Sequence, residues 1–143
     1  MLLACRELWR AMESFDVAAC RRLGIGRSDL RALNMLEYGP LSAAALAESL
    51  GLTRGSLTAL VDRLEAAHLV NRELAPHDRR GVLVGLQQPT RRALADIYRP
   101  LGRGVAAAAA GLSARDRRAL LRCLAGIAEV FDRARPGSGR AGG

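Results

Sequence analysis

The segment from Ser42 to Leu64 constrains this chain more than any other. Ser42 is placed to cap a short Ala-rich helix carrying Leu46 and Leu50, and Gly51 closes it. Thr53 caps a following helix whose apolar residues Leu57, Leu60, Val61 and Leu64 share one side at 100° per residue. About two turns of helix, a Gly51-Leu52 joint and about four further turns make a helix-turn-helix by length, caps and apolar pattern. Opposite the apolar side of the second helix fall Gly55, Ala59 and Asp62, flanked by Arg54, Ser56, Thr58 and Arg63. The outward face near its N-terminus is therefore small and hydroxylic with one arginine, so the backbone can approach the floor of a DNA groove.

The flanking sequence supplies the remaining elements. Cys5, Leu8, Met12, Phe15 and Ala19 recur at helical steps and predict a first helix of about five turns, ended by Gly24 and Gly26. Ser28 is expected to cap a second helix with Leu30, Leu33 and Leu36 on one face, stopped at Gly39-Pro40. After Ala67 the period changes. Leu69 to Leu74 and Val82 to Leu86 read as short strands joined by a turn with Pro76, Asp78 and Gly81, a hairpin with a charged tip. Helical spacing returns from about Thr90, with Pro100, Gly102 and Gly104 expected to kink or interrupt that helix. Ser113 caps a last helix with Leu120, Leu124, Ile127 and Phe131 on its apolar stripe. The Gly-rich end, 136–143, reads as a disordered tail.

The fold class is accordingly mainly α with a small β-hairpin wing, a winged helix-turn-helix at about 28–88 flanked by helices at about 2–23 and 90–135, in a single domain over 1–135. The absence of any apolar run near the roughly 18 residues of a membrane span, with Arg6 and Glu7 so early, predicts a soluble, unprocessed cytoplasmic chain.

Charge narrows the partner. All 22 cations are arginine, against 14 carboxylates, for a formal charge of +8, and a surplus of this size argues for a polyanion. The choice of arginine over lysine carries little weight, because an Ala/Arg/Gly/Leu-heavy composition also follows from a GC-rich genome. Trp9, Phe15, Tyr38, Tyr98 and Phe131 are too few and scattered for base-stacking platforms, which leaves duplex DNA. Arg54 can pair with guanine or bind phosphate, whereas Ser56 and Thr58 can reach base edges or phosphate. Asp62 would repel phosphate unless paired, with Arg54 or Arg63 as the expected partner. At the hairpin tip Asp78 can orient Arg80, beside Arg79, toward a narrow A·T-rich minor groove. Arg72 on the hairpin belongs with these DNA-facing arginines.

Catalytic and metal chemistry find no foothold. His68 and His77 are the only histidines, no HExxH, GxSxG or Walker run exists, and Cys5, Cys20 and Cys123 form no CxxC pair. His77, beside Asp78, reads as a wing-tip residue. The reading is a non-enzyme without cofactor or metal.

The run Leu50 to Arg72, LGLTRGSLTALVDRLEAAHLVNR, followed by Asp78-Arg79-Arg80-Gly81-Val82-Leu83-Val84-Gly85-Leu86, resembles the winged helix-turn-helix of the MarR (multiple antibiotic resistance regulator) family. The motif covers about 45 residues, and the order and length of the flanking helices extend the likeness over nearly the whole chain. The resemblance implies a homodimeric bacterial transcription regulator, usually a repressor, whose terminal helices dimerise and whose wings occupy a palindromic operator. It places Arg54, Ser56 and Thr58 at base-reading positions, Arg63 at an arginine supporting DNA and wing contacts, and Asp78 and Arg80 at the wing pair. It also implies release by a small, often phenolic or aromatic effector, for which Trp9, Leu33, Tyr38 and Tyr98 are the candidate lining. His68 stands where the family has Gly, a place that suits positive φ. Gln87 and Thr90 replace the usual Thr and Gly, which predicts a late helix start near Thr90.

Two alternatives stay open from sequence. Cys5 or Cys20, near arginines of the first helix that would favour thiolate, allows a redox-sensing regulator. Charge alone would also satisfy a non-specific architectural DNA binder, which should not prefer one palindrome over unrelated duplexes.

Overall fold

The computed structural model describes residues 1–75 and 78–134; the side chains of residues 75, 78–81 and 132 fall outside that description. The elements run α1 (Leu2–Leu23), α2 (Arg27–Leu36), β1 (Leu41–Ser42), α3 (Ala43–Leu50), α4 (Arg54–Ala66), β2 (Val70–Ala75), β3 (Asp78–Leu86), α5 (Gln88–Ala108) and α6 (Ala114–Arg133). The chain divides into a unit ending at Arg99 and a second beginning at Pro100. His77 and the expected tail at 136–143 lie outside the described residues.

In the first unit the apolar periods become one core. Leu30, Leu33 and Leu36 of α2, Leu46 and Leu50 of α3, and Leu57, Leu60, Val61 and Leu64 of α4 are all buried. Val70 of β2, Val84 and Leu86 of β3, and Leu94 of α5 close the cluster, while α1 enters it at Ala19 and Cys20. The sheet is antiparallel in the order β1-β3-β2, with Val70 opposite Leu86 and an irregularity at Leu74/Ala75.

Several boundaries differ from expectation for local reasons. The cap of α2 is Gly26 rather than Ser28, because the Asp29 carboxylate reaches back to accept from the Gly26 N–H at 3.0 Å and starts the helix at Arg27. The two-residue strand β1 pairs Leu41 with Val84 and Ser42 with Leu83, and is too short to leave an alternation in sequence. Helix α5 begins at Gln88, two residues before the expected start, since Pro89 in a first turn needs no N–H partner. The same helix continues through Pro100, which removes one backbone donor without ending it.

Helices α3 and α4 have the expected caps. The Ser42 hydroxyl accepts from Ala45 N and the Thr53 hydroxyl from Ser56 N, each at 3.2 Å, and Gly51 closes α3 at φ 67°. His68 turns the chain out of α4 at φ 56°, the only non-glycine residue with positive φ among those described. Its N–H donates to the Glu65 carbonyl and that of Leu69 to the Leu64 carbonyl, so the helix end is satisfied. His68→Gly is expected to leave stability unchanged or raise it, and His68→Val to lower it, because a β-branched side chain tolerates left-handed backbone less well than His. Urea unfolding midpoints of the two variants provide the check.

In the second unit, α6 is capped by Ser113, whose hydroxyl accepts from Asp116 N at 3.2 Å. None of its described side chains is buried. Leu120, Leu124 and Phe131 are exposed and Ile127 is half-buried, so the expected apolar stripe exists but is uncovered.

Candidate nucleic-acid interface

Burying Leu57, Leu60, Val61 and Leu64 leaves the opposite side of α4 in solvent. Arg54, Gly55, Ser56 and Thr58 are all exposed there, within the first turn and a half. An ideal Cβ built on Gly55 meets no atom within 4 Å, so the space above this backbone is open. The hydroxyls are differentiated by their partners. Thr53 donates to the Ser56 hydroxyl at 2.9 Å, leaving the Ser56 proton free to donate outward. Thr58 donates to the Arg54 carbonyl at 2.9 Å, so its oxygen faces out as an acceptor. Arg54 has no ion-pair partner among the described residues.

Two further arginines assigned to the DNA-facing unit from sequence, Arg63 on α4 and Arg72 on the hairpin, are engaged within the fold. Arg63 pairs through Nη2 with Oδ1 of Asp29, the buried carboxylate that also accepts from Gly26 N. Half of the Arg63 side chain remains in solvent, and the ion pair raises its pKa further, so it stays charged. Arg72 on β2 reaches Asp62 Oδ1 at 2.5 Å with Nη2 and Glu65 Oε2 with Nη1. Asp62 is thus paired, but with Arg72 rather than with Arg54 or Arg63. Adjacent helical residues diverge by 100° and Arg54 lies more than two turns away, so neither was within reach. The wing residues Asp78, Arg79 and Arg80 fall on β3, and their side chains lie outside the described part.

The four residues assigned to effector contact do not share one environment. Leu33 is sealed in the core, Tyr38 is 90% exposed and Trp9 is exposed. Tyr98 is half-buried, its hydroxyl accepting from Asn34 Nδ2 at 2.9 Å and its ring centred 5.2 Å from Phe15 in a tilted pair. Burial pushes the Tyr98 phenol up, partly opposed by the Asn34 bond. The carbonyl oxygen of Asn34 is buried and has no hydrogen-bond partner among the described residues. Neither Asn34 nor Phe15 was singled out from sequence, since each sits in a helical period that reads as ordinary packing. No group of three or more His, Cys, Asp or Glu among the described residues could hold a metal ion. No helix among them is long and apolar enough to cross a membrane.

Cys20 lacks the thiolate character that the redox-sensing alternative would need there. It is buried on α1, and burial together with the nearby Asp16 carboxylate pushes its thiol up, outweighing Arg27. Cys5 is partly exposed and Cys123 exposed. Iodoacetamide at about pH 8.5, near an ordinary thiol pKa, should leave Cys20 unmodified in the native chain and label it after denaturation. Mass-spectrometric mapping that finds Cys20 labelled at equal rates in both states would contradict its burial.

Comparison with known proteins agrees with this architecture. The MarR family model matches residues 23–81, which span α2 through the start of β3. The chain is 41% identical over 97 residues to YcgE of Bacillus subtilis, an uncharacterized HTH-type transcriptional regulator, covering 67% of this chain and 63% of that protein. A second B. subtilis regulator of the same description, YfiV, is 30% identical over 84 residues, so the chain spans between half and two thirds of these relatives. Among solved structures, a mutant MepR from a multidrug resistant S. aureus clinical isolate superposes at TM-score 0.73 with 16% identity, covering 90% of this chain and 95% of MepR. NadR in complex with 4-hydroxyphenylacetate superposes at TM-score 0.63 with 26% identity, covering 87% of this chain and 89% of NadR.

Proposed function

The chain belongs to the MarR family of winged helix-turn-helix transcriptional regulators, and from that premise we propose that it is a homodimeric repressor binding a palindromic operator in duplex DNA. In this reading α4 enters the major groove N-terminus first. Arg54, Ser56 and Thr58 face base edges and phosphates, Gly55 lets the backbone come close, and Arg63 supports the helix from behind. Asp78 orients Arg80, with Arg79 beside it, into the flanking minor groove. The observation that carries the reading is the outward face of α4. It combines an arginine without an ion-pair partner among the described residues, one hydroxyl free to donate, one free to accept, and open space over a glycine.

Dimerisation is supported by the uncovered apolar residues of the outer helices. Leu2, Leu3, Leu8, Trp9 and Met12 on α1 and Leu120, Leu121, Leu124, Val130 and Phe131 on α6 are all exposed in the single chain. A two-fold interface would cover such stripes and relate two recognition helices symmetrically. An effector of small aromatic or phenolic type is supported by the 4-hydroxyphenylacetate bound to the related NadR. Of the side chains assigned to it, Tyr98 beside Phe15 offers an aromatic wall, and the buried Asn34 carbonyl, without a partner among the described residues, an acceptor behind it, with Trp9 accessible on α1. Leu33 and Tyr38 contribute less, one being sealed and the other standing in solvent. The burial of Cys20 weighs against oxidation at that thiol as the trigger, and redox sensing then rests on Cys5.

Selection of bound duplexes from a random pool tests the central reading: an enriched palindrome with half-sites about one helical turn apart is expected, whereas uniform recovery would leave a non-specific DNA binder. Gly55→Ala should be neutral or slightly stabilising to the fold, since Ala is the better helix former by up to about 1 kcal/mol. It should nonetheless lower affinity for the selected duplex at least tenfold by filling the groove-facing space, measured by fluorescence anisotropy at fixed salt. Leu120→Glu combined with Leu124→Glu should convert the dimer to monomer in sedimentation; an unchanged dimer would place the interface elsewhere.

A further inference from the structure

Asp62 and Glu65 stand three residues apart on α4, and so on one face of a helix whose other half is offered to DNA. Two exposed carboxylates in that position would repel phosphate. Both are instead held by one guanidinium from outside the helix, that of Arg72 on β2, with one nitrogen on each carboxylate. Next in sequence to Asp62, Arg63 leaves the helix about 100° around and pairs with the buried Asp29 of α2. The C-terminal half of α4 is therefore gripped from two directions, by the wing strand on one side and by α2 on the other.

Exposed ion pairs contribute little to stability, so the consequence of this arrangement is geometric. A planar guanidinium spanning two carboxylates restricts the angle at which they present themselves, which a single lysine-like point charge would not. With side chains about 5–6 Å from a helix axis, a roll of about 20° would move the tips of Ser56 and Thr58 by about 2 Å. That exceeds the tolerance of a direct hydrogen bond to a base edge.

We propose that Arg72 is a positioning residue for base reading. It fixes the roll of the recognition helix against the wing strand and neutralises Asp62 and Glu65, without itself touching DNA. This rests on the DNA-binding reading above and differs from counting Arg72 among the DNA contacts. A phosphate contact and a helix clamp leave different signatures: the first releases counterions and the second does not.

The test uses the full chain, the duplex selected by the wild type, and a random duplex, across a salt series. Arg72→Ala should reduce the preference for the selected duplex at least tenfold while leaving the slope of log K against log salt unchanged. Arg80→Ala, the proposed minor-groove contact, should lower that slope by about one. Asp62→Asn with Glu65→Gln, which frees Arg72 without removing it, should also lose the preference, while binding random duplex more tightly because two negative charges are gone. Arg72→Lys should fall between wild type and Arg72→Ala. A slope reduced by about one in Arg72→Ala would make Arg72 a phosphate contact and overturn the proposal. So would an unchanged preference in both Arg72→Ala and the double carboxylate variant. A wild-type chain that enriches no duplex would instead defeat the underlying DNA reading, and is told apart because it precedes any comparison of variants.

Discussion

The burial of one stripe of α4 against α2 is the interaction on which the rest depends. Leu57, Leu60, Val61 and Leu64 are each at most 3% exposed, and they meet a core to which α2 brings Leu30, Leu33 and Leu36. Each such side chain is worth about 1.5–3 kcal/mol when fully buried, far more than any surface contact of the same helix. Because the helical period is fixed, choosing the inward side also chooses the outward one. Gly55, Ser56 and Thr58 face solvent as a consequence of where the leucines go, and the caps at Thr53 and His68 fix where that face begins and ends.

The charge of the chain is partitioned by this core. Arg27 pairs with Glu13 at 2.8 Å, Arg63 with Asp29, and Arg72 with Asp62 and Glu65. These arginines hold α1 to α2, α2 to α4, and α4 to β2. They are part of the scaffold that orients the remaining cations. The net charge of +8 is accordingly a poor measure of what is available to a polyanion, because a guanidinium already shared between two carboxylates has little left to offer a phosphate. Arg54, which has no such partner among the described residues, stands at the helix end where the backbone N–H groups also favour anions.

What was legible in sequence was local. Ser42, Gly51 and Thr53 are side-chain or backbone solutions to helix ends, and the Leu period shows its inward face within a dozen residues. The left-handed turn at His68 was legible only through the family resemblance, which has Gly at that place. What escaped was pairing at a distance. Arg63 and Asp29 are 34 residues apart, and no local spacing connects them. Asp62 pairs with Arg72 of the following strand, ten residues on, and not with Arg54 or Arg63 of its own helix. The cap of α2 was misplaced because Ser28 is a good cap by type, while Asp29 one residue later reaches back to Gly26 and shifts the start. The Asn34–Tyr98 bond spans 64 residues, and nothing local in the sequence marks Asn34 as the partner of Tyr98. The wing side chains, on which the minor-groove assignment rests, fall outside the described residues.

The small size of the proposed reading face argues for symmetry. One good bidentate base contact discriminates by about 1–3 kcal/mol, and α4 offers one arginine and two hydroxyls of weaker specificity. Specific regulators exceed their own non-specific binding by about 4–10 kcal/mol. A single copy of this face falls at or below the lower end of that range, even with the wing added. Two copies related by a two-fold axis double the discriminating contacts and add a fixed spacing as a further criterion. The same chain carries, on α1 and α6, apolar residues that a single copy leaves in water. The deficit in specificity and the surplus of exposed apolar surface would thus have one common remedy in the self-complementary dimer proposed above.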